Sequence, residues 1–123
     1  ADEAPVTSDF KNLKTWQVAM DLVEQVYGLT AGFPKHELWG LAGQMQRAAA
    51  SVPSNIAEGR ARDTKQEYWR GLIHARGSLA ELETQLLIAV RVGYLPPDTP
   101  IFGQLKLCYR LLYGLMEKVR ERR

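Results

Sequence analysis

One cysteine, Cys108, stands in the whole 123-residue chain, so no intrachain disulfide can staple the fold. Such sparing use of cysteine suits a reducing cytosol, and a cytoplasmic location is expected. Histidine is as scarce. His36 and His74 lie far apart, and neither has a glutamate three residues before it, so the Glu-x-x-His pattern of a di-iron bundle is missing. One cysteine and two distant histidines do not supply a zinc site either. The chain also lacks a phosphate-cradling glycine loop and a Gly-x-Ser-x-Gly elbow. No catalytic residue, metal or cofactor is therefore expected, and the protein reads as a non-enzyme.

No apolar run approaches the ~18 residues of a membrane span. No stretch alternates apolar and polar residues long enough to suggest a sheet. Sixteen cations against fourteen acids leave a net charge of only +2, too little to announce a nucleic-acid binder by itself. Residues 1 to 9 carry Asp2, Glu3 and Asp9 and no cation, so they do not read as a signal peptide but as a flexible leader to a domain over residues 10 to 123.

What is present is helical periodicity. The breaks at Gly32-Phe33-Pro34, at Gly59 to Asp63, and at Gly93 to Pro100 divide the chain into four segments. The first spans about Leu13 to Ala31, with Trp16, Met20, Val23, Tyr27 and Thr30 as its seam, widened by Ala19, Leu22, Val26, Leu29 and Phe33. The second spans about Glu37 to Glu58 along Leu38, Leu41, Met45, Ala48, Val52 and Ile56. Pro53, well inside it, predicts a bend near Ala49 or a break into two helices, because proline removes a backbone donor and crowds the carbonyl four residues back. The third is the clearest. Tyr68, Leu72, Ala75, Leu79, Leu82, Leu86 and Ala89 hold an unbroken heptad seam over about Thr64 to Val92. Thr64 with Glu67 makes a capping box, and Asp63 is an alternative cap. The fourth spans about Asp98 to Glu121 along Ile101, Leu105, Cys108, Leu112, Leu115 and Val119, with Asp98 or Thr99 as cap and Pro100 in the first turn. Four amphipathic helices with short connections predict an all-α, antiparallel up-down-up-down four-helix bundle.

Three groups of residues stand out from this frame. Around Pro53, the short polar side chains Ser51, Ser54 and Asn55, with Glu58, either hold a bent helix together or line a binding site. The third helix carries a second stripe about 100° from its seam, including Trp69, Ile73, Arg76, Glu83 and Leu87. Aromatics and arginine with few acids suit an interface, so this stripe is the candidate surface for self-association. Finally, Arg60, Arg62, Lys65, Arg70 and Arg76 outnumber Asp63 and Glu67 around the second turn, which could hold phosphates.

Ser51-Val52-Pro53-Ser54-Asn55-Ile56-Ala57-Glu58-Gly59 resembles the hallmark of the bacterial four-helix-bundle proteins related to the large-subunit ribosomal RNA intervening-sequence protein. Gly77-Ser78-Leu79-Ala80-Glu81-Leu82-Glu83-Thr84-Gln85-Leu86 resembles their second hallmark. Phe10-Lys11-Asn12-Leu13-Lys14-Thr15-Trp16-Gln17 and Arg47-Ala48-Ala49 match further blocks. The resemblance implies a four-helix bundle able to form a ring-shaped homopentamer, from a family for which no enzymatic activity is established. It also implies a likeness in fold to the accessory protein of diversity-generating retroelements, credited with binding nucleic acid and a reverse transcriptase. Gln46-Arg47 stands where family members often carry a basic pair, so Arg47 joins Arg60, Arg62 and Lys65 as a candidate nucleic-acid contact with one cation fewer than the pattern. The expected function is an oligomeric scaffold or adaptor for a protein partner; the alternative is a nucleic-acid-binding accessory protein that uses a basic ring surface.

Overall fold

The computed structural model describes residues 9–121, which form four α-helices and no strand. A 3-10 turn, Asp9–Asn12, precedes α1 (Lys14–Thr30). A second, Lys35–Glu37, leads into α2 (Leu41–Ala61). Then follow α3 (Lys65–Arg91) and α4 (Ile101–Glu121). α1 packs on α2 and α4, and α3 packs on the same two, so the helices enclose one core. The leader expected over residues 1 to 9 falls mostly outside the described residues. Asp9 itself belongs to the first 3-10 turn, where its carboxylate pairs with Arg60 at 2.6 Å.

α3 is the longest helix, at 27 residues, and every member of its heptad seam is buried. Thr64 caps it in an extended conformation, its hydroxyl accepting from the Glu67 N–H at 3.2 Å. Asp63 is not the cap. It takes a left-handed φ of 61° and ends α2 instead, a conformation that Asp tolerates better than most residues. At the far end Gly93 sits at φ 88°, Tyr94 N–H bonds back to Ala89 O and Gly93 N–H to Val90 O. That double closure requires a residue without a Cβ cost at positive φ, and it stops the helix.

α2 differs from expectation. It starts at Leu41 rather than Glu37, because Lys35–Glu37 winds as a 3-10 turn and Glu37 folds its carboxylate forward to accept the Leu41 N–H at 2.9 Å. Of the two outcomes expected at Pro53, a bend or a break, the break into two helices does not occur: one helix runs through it to Ala61. Proline's φ fits a helix, so the loss is one hydrogen bond and some crowding. Pro53 is buried between Val52 and Ile56, which are anchored in the core on either side of it. Asn55 does not serve the carbonyl freed at Ala49. Its amide donates to Ser51 O at 2.8 Å and to Ser51 Oγ at 2.9 Å, and Ser51 Oγ lies 2.8 Å from Ser78 Oγ on α3. α4 begins at Ile101, three residues later than expected, with Asp98, Thr99 and Pro100 in the turn before it.

α1 corrects the sequence reading most. Its buried face is Thr15, Val18, Ala19, Leu22, Val26 and Thr30. Met20 and Tyr27, placed on the seam by their spacing, are 43% and 51% exposed. In α4, Cys108 lies in the core, where burial pushes its thiol up to about 12.

Glu37 also ties the two far loops together, since the Tyr94 hydroxyl donates to its second carboxylate oxygen at 2.8 Å. The Leu41 N–H and the Tyr94 hydroxyl lower the Glu37 pKa, and Glu37 in turn raises that of Tyr94. A lowered carboxylate contributes stability above its unfolded value, near pH 4.3, and loses it as pH falls through the folded value. A raised phenol contributes below about pH 10 and loses it above. Glu37→Ala is therefore expected to lower the urea midpoint at pH 7, and that difference should shrink as pH falls below the ordinary carboxylate range.

Candidate interaction surfaces

The second stripe of α3 does not stand alone; part of it packs on α4. Trp69 is half-buried against the core and borders a shallow cavity of 360 Å³ shared with Arg76, Tyr113, Met116, Glu117 and Arg120. Ile73, one turn along from Trp69, is 37% exposed, and Tyr113 is exposed on α4. Arg120 is held by Glu117 at 2.7 and 2.9 Å, whereas Arg76 has no acidic partner among the described residues. Trp69, Ile73, Arg76 and Tyr113 thus form one aromatic and cationic face on two helices. The α4 half escaped the sequence reading, although Tyr109 and Tyr113 repeat at one helical turn off the seam. Their rings stack at 6.0 Å.

Two predicted members of the stripe behave differently. Glu83 is engaged within its own chain, accepting from the Tyr109 hydroxyl at 3.0 Å. Burial, and then Glu83, push the Tyr109 phenol well above its ordinary value. Leu87 is exposed, but it lies eighteen residues from Trp69, about 27 Å along the helix. It belongs to the other end of the molecule.

The basic turn is less bare than its composition suggests. Arg60 pairs with Asp9 and lies over the Tyr68 ring at 5.6 Å. Arg62 reaches Glu58 at 3.1 Å and Glu67 at 4.0 Å; Arg70 reaches Glu67 at 3.9 Å. These exposed pairs add little stability, but they balance the local charge. Lys65 is exposed at the start of α3. Arg47 is thirteen residues before Arg60 on α2, about 20 Å away, so the four candidate phosphate contacts do not form one site.

The hallmark residues Asn55 and Glu58 meet α3 instead. With Gly59, Arg62, Glu67, Arg70, Gly71 and His74 they line a polar cleft of 220 Å³. Its floor is a backbone contact. A Cβ on Gly71 would stand 2.5 Å from Asn55 O and 2.9 Å from Gly59 Cα. At Gly71 only glycine lets α2 and α3 approach this closely, and a Cβ on Gly59 would crowd Gly71 Cα at 3.1 Å.

Two further features were not singled out from the sequence. Trp39, between the second 3-10 turn and α2, is 85% exposed. It lies beside Gly40, off every helical seam. On α1, Met20 and Tyr27 share their outward face with Glu24, and Asp21 flanks it. Among the described residues no three His, Cys, Asp or Glu side chains are placed to hold a metal ion, and no helix is long and apolar enough to cross a membrane.

Residues 11–114 match the family of the 23S rRNA-intervening sequence protein, a span that runs from the first 3-10 turn through most of α4. No curated protein matches the chain.

Proposed function

Because the chain belongs to the family of the 23S rRNA-intervening sequence protein, we propose that it is a non-catalytic scaffold that assembles with copies of itself and offers a repeated surface to a partner. The carrying observation is the face made by Trp69, Ile73, Arg76 and Tyr113: large apolar groups around an arginine without an acidic partner among the described residues, held on two helices rather than on a loop. Tryptophan, tyrosine and arginine are the residues that most often anchor an interface.

The antiparallel up-down-up-down arrangement is part of this reading, supported by the cross-helix pairings. Ser51 meets Ser78 while Gly59, further on, meets Gly71, earlier on. Thr15 bonds Leu111 O, while Val18 O is reached by Gln104. Such a bundle can stand side by side with its neighbours. The ring of five comes from the family resemblance. Phosphate binding at the second turn is less well supported, because Arg60 and Arg62 already face acids.

Sedimentation tests the proposal. The wild type is expected to sediment as an oligomer at micromolar concentration. Trp69→Ala and Arg76→Glu are expected to shift it toward monomer with the helical circular dichroism unchanged. A wild type that is monomeric at tens of micromolar overturns self-assembly. Fully oligomeric mutants would show that the face is wrong.

A further inference from the structure

A face that joins copies into a closed ring needs a different surface on the next copy, since a ring is built from heterologous contacts. Resting on the self-assembly reading above, we infer that this surface is the outward face of α1, and that Met20, Glu24 and Tyr27 of one copy dock on Trp69, Ile73 and Arg76 of the next.

The two faces carry matching patterns. Met20, Glu24 and Tyr27 stand at i, i+4 and i+7 on α1; Trp69, Ile73 and Arg76 stand at the same spacings on α3. At 100° per residue each triplet falls within about 60° of arc, one straight ridge of about two turns. Ridges of this kind are what one helix presents to the groove of another. Each ridge offers two large side chains and one charge, and the charges are opposite.

The charges are also available. After Lys14, α1 carries Asp21 and Glu24 and no cation. Both acids are exposed, and neither has an ion pair among the described residues. Arg76 is exposed and has no acidic partner among the described residues either. Arg120, Arg62 and Arg60, by contrast, are matched within the chain by Glu117, Glu58 and Asp9. Unmatched charges of opposite sign, each beside exposed apolar groups, make one face the complement of the other.

The apolar groups have the same character. Met20 and Tyr27 are the two side chains that α1 holds out of the core despite their size. Met20 adapts its shape to a neighbour. Tyr27 brings a ring that an arginine can cover. Trp69 and the cavity beside it provide the recess.

Charge reversal on both sides decides the matter. Wild type, Arg76→Glu, Glu24→Arg and the double variant are compared by sedimentation at low salt, with circular dichroism confirming helicity. All substituted positions are exposed, so the fold is retained. Each single reversal is expected to weaken assembly at least tenfold, and the double variant to recover most of that loss. Tyr27→Ala, which leaves every charge in place, is expected to weaken assembly as well. A monomeric wild type overturns the self-assembly reading and this inference together. An assembled wild type that Arg76→Glu dissociates, but that Glu24→Arg and Tyr27→Ala leave intact, overturns this inference alone. So does a double variant no better assembled than the worse single one.

Discussion

Gly71→Ala is expected to destabilise the fold by about 3 kcal/mol, the upper end for an overpacked interior. The added methyl would meet Asn55 O at 2.5 Å and Gly59 Cα at 2.9 Å. Both are backbone atoms of α2, so no side chain can swing away to make room. α2 and α3 must separate, and the separation also strains the Ser51–Ser78 contact further along the same pair of helices. Gly77→Ala on the same helix is the control. Nothing lies within 4 Å of its added methyl. There the better helix propensity of alanine should stabilise the protein by about 0.5–1 kcal/mol. Urea denaturation of the two variants should give shifts of opposite sign, and equal shifts would contradict the close-approach argument.

Leu82→Ala should cost about 3–4 kcal/mol. Leu82 is fully buried on the α3 seam, flanked along it by Leu79 and Leu86, which are equally buried. Helices on both sides fix its surroundings, so the vacated space cannot collapse fully and the cavity penalty adds to the lost transfer energy. Alanine is the best helix former, so the effect is one of burial and not of helix propensity. Leu82→Met, which nearly conserves volume, should cost under about 1.5 kcal/mol in the same urea series. Similar losses for both would show that the seam is loosely filled.

How far the sequence speaks depends on how many solutions a pattern allows. α3 has one unbroken heptad seam, so its buried face, its Thr64 cap and its ends could be read directly. α1 is apolar at so many positions that two stripes are equally regular. One runs through Trp16, Met20, Val23 and Tyr27; the other runs through Thr15, Ala19, Leu22 and Val26. Only the neighbouring helices choose between them, and they bury the second. The Gly59–Gly71 contact leaves no periodic trace, because a glycine in a helix looks the same whether or not another backbone touches it. The charge compensation at the second turn depends on Asp9 meeting Arg60 across 51 positions of sequence. The candidate face was half legible. Trp69, Ile73 and Arg76 followed from α3 alone, whereas Tyr113 and Arg120 needed the pairing of α3 with α4.

The single cysteine, unremarked as a site, has a practical meaning. Cys108 is enclosed by the core, and its thiol is held near 12, so at neutral pH it is neither reached by a reagent nor ionised to attack one. Its chemistry is switched on only when the helices part. Alkylation at this one sulfur therefore keeps time with opening of the core, and the chain carries its own chemical clock for unfolding, with no label added.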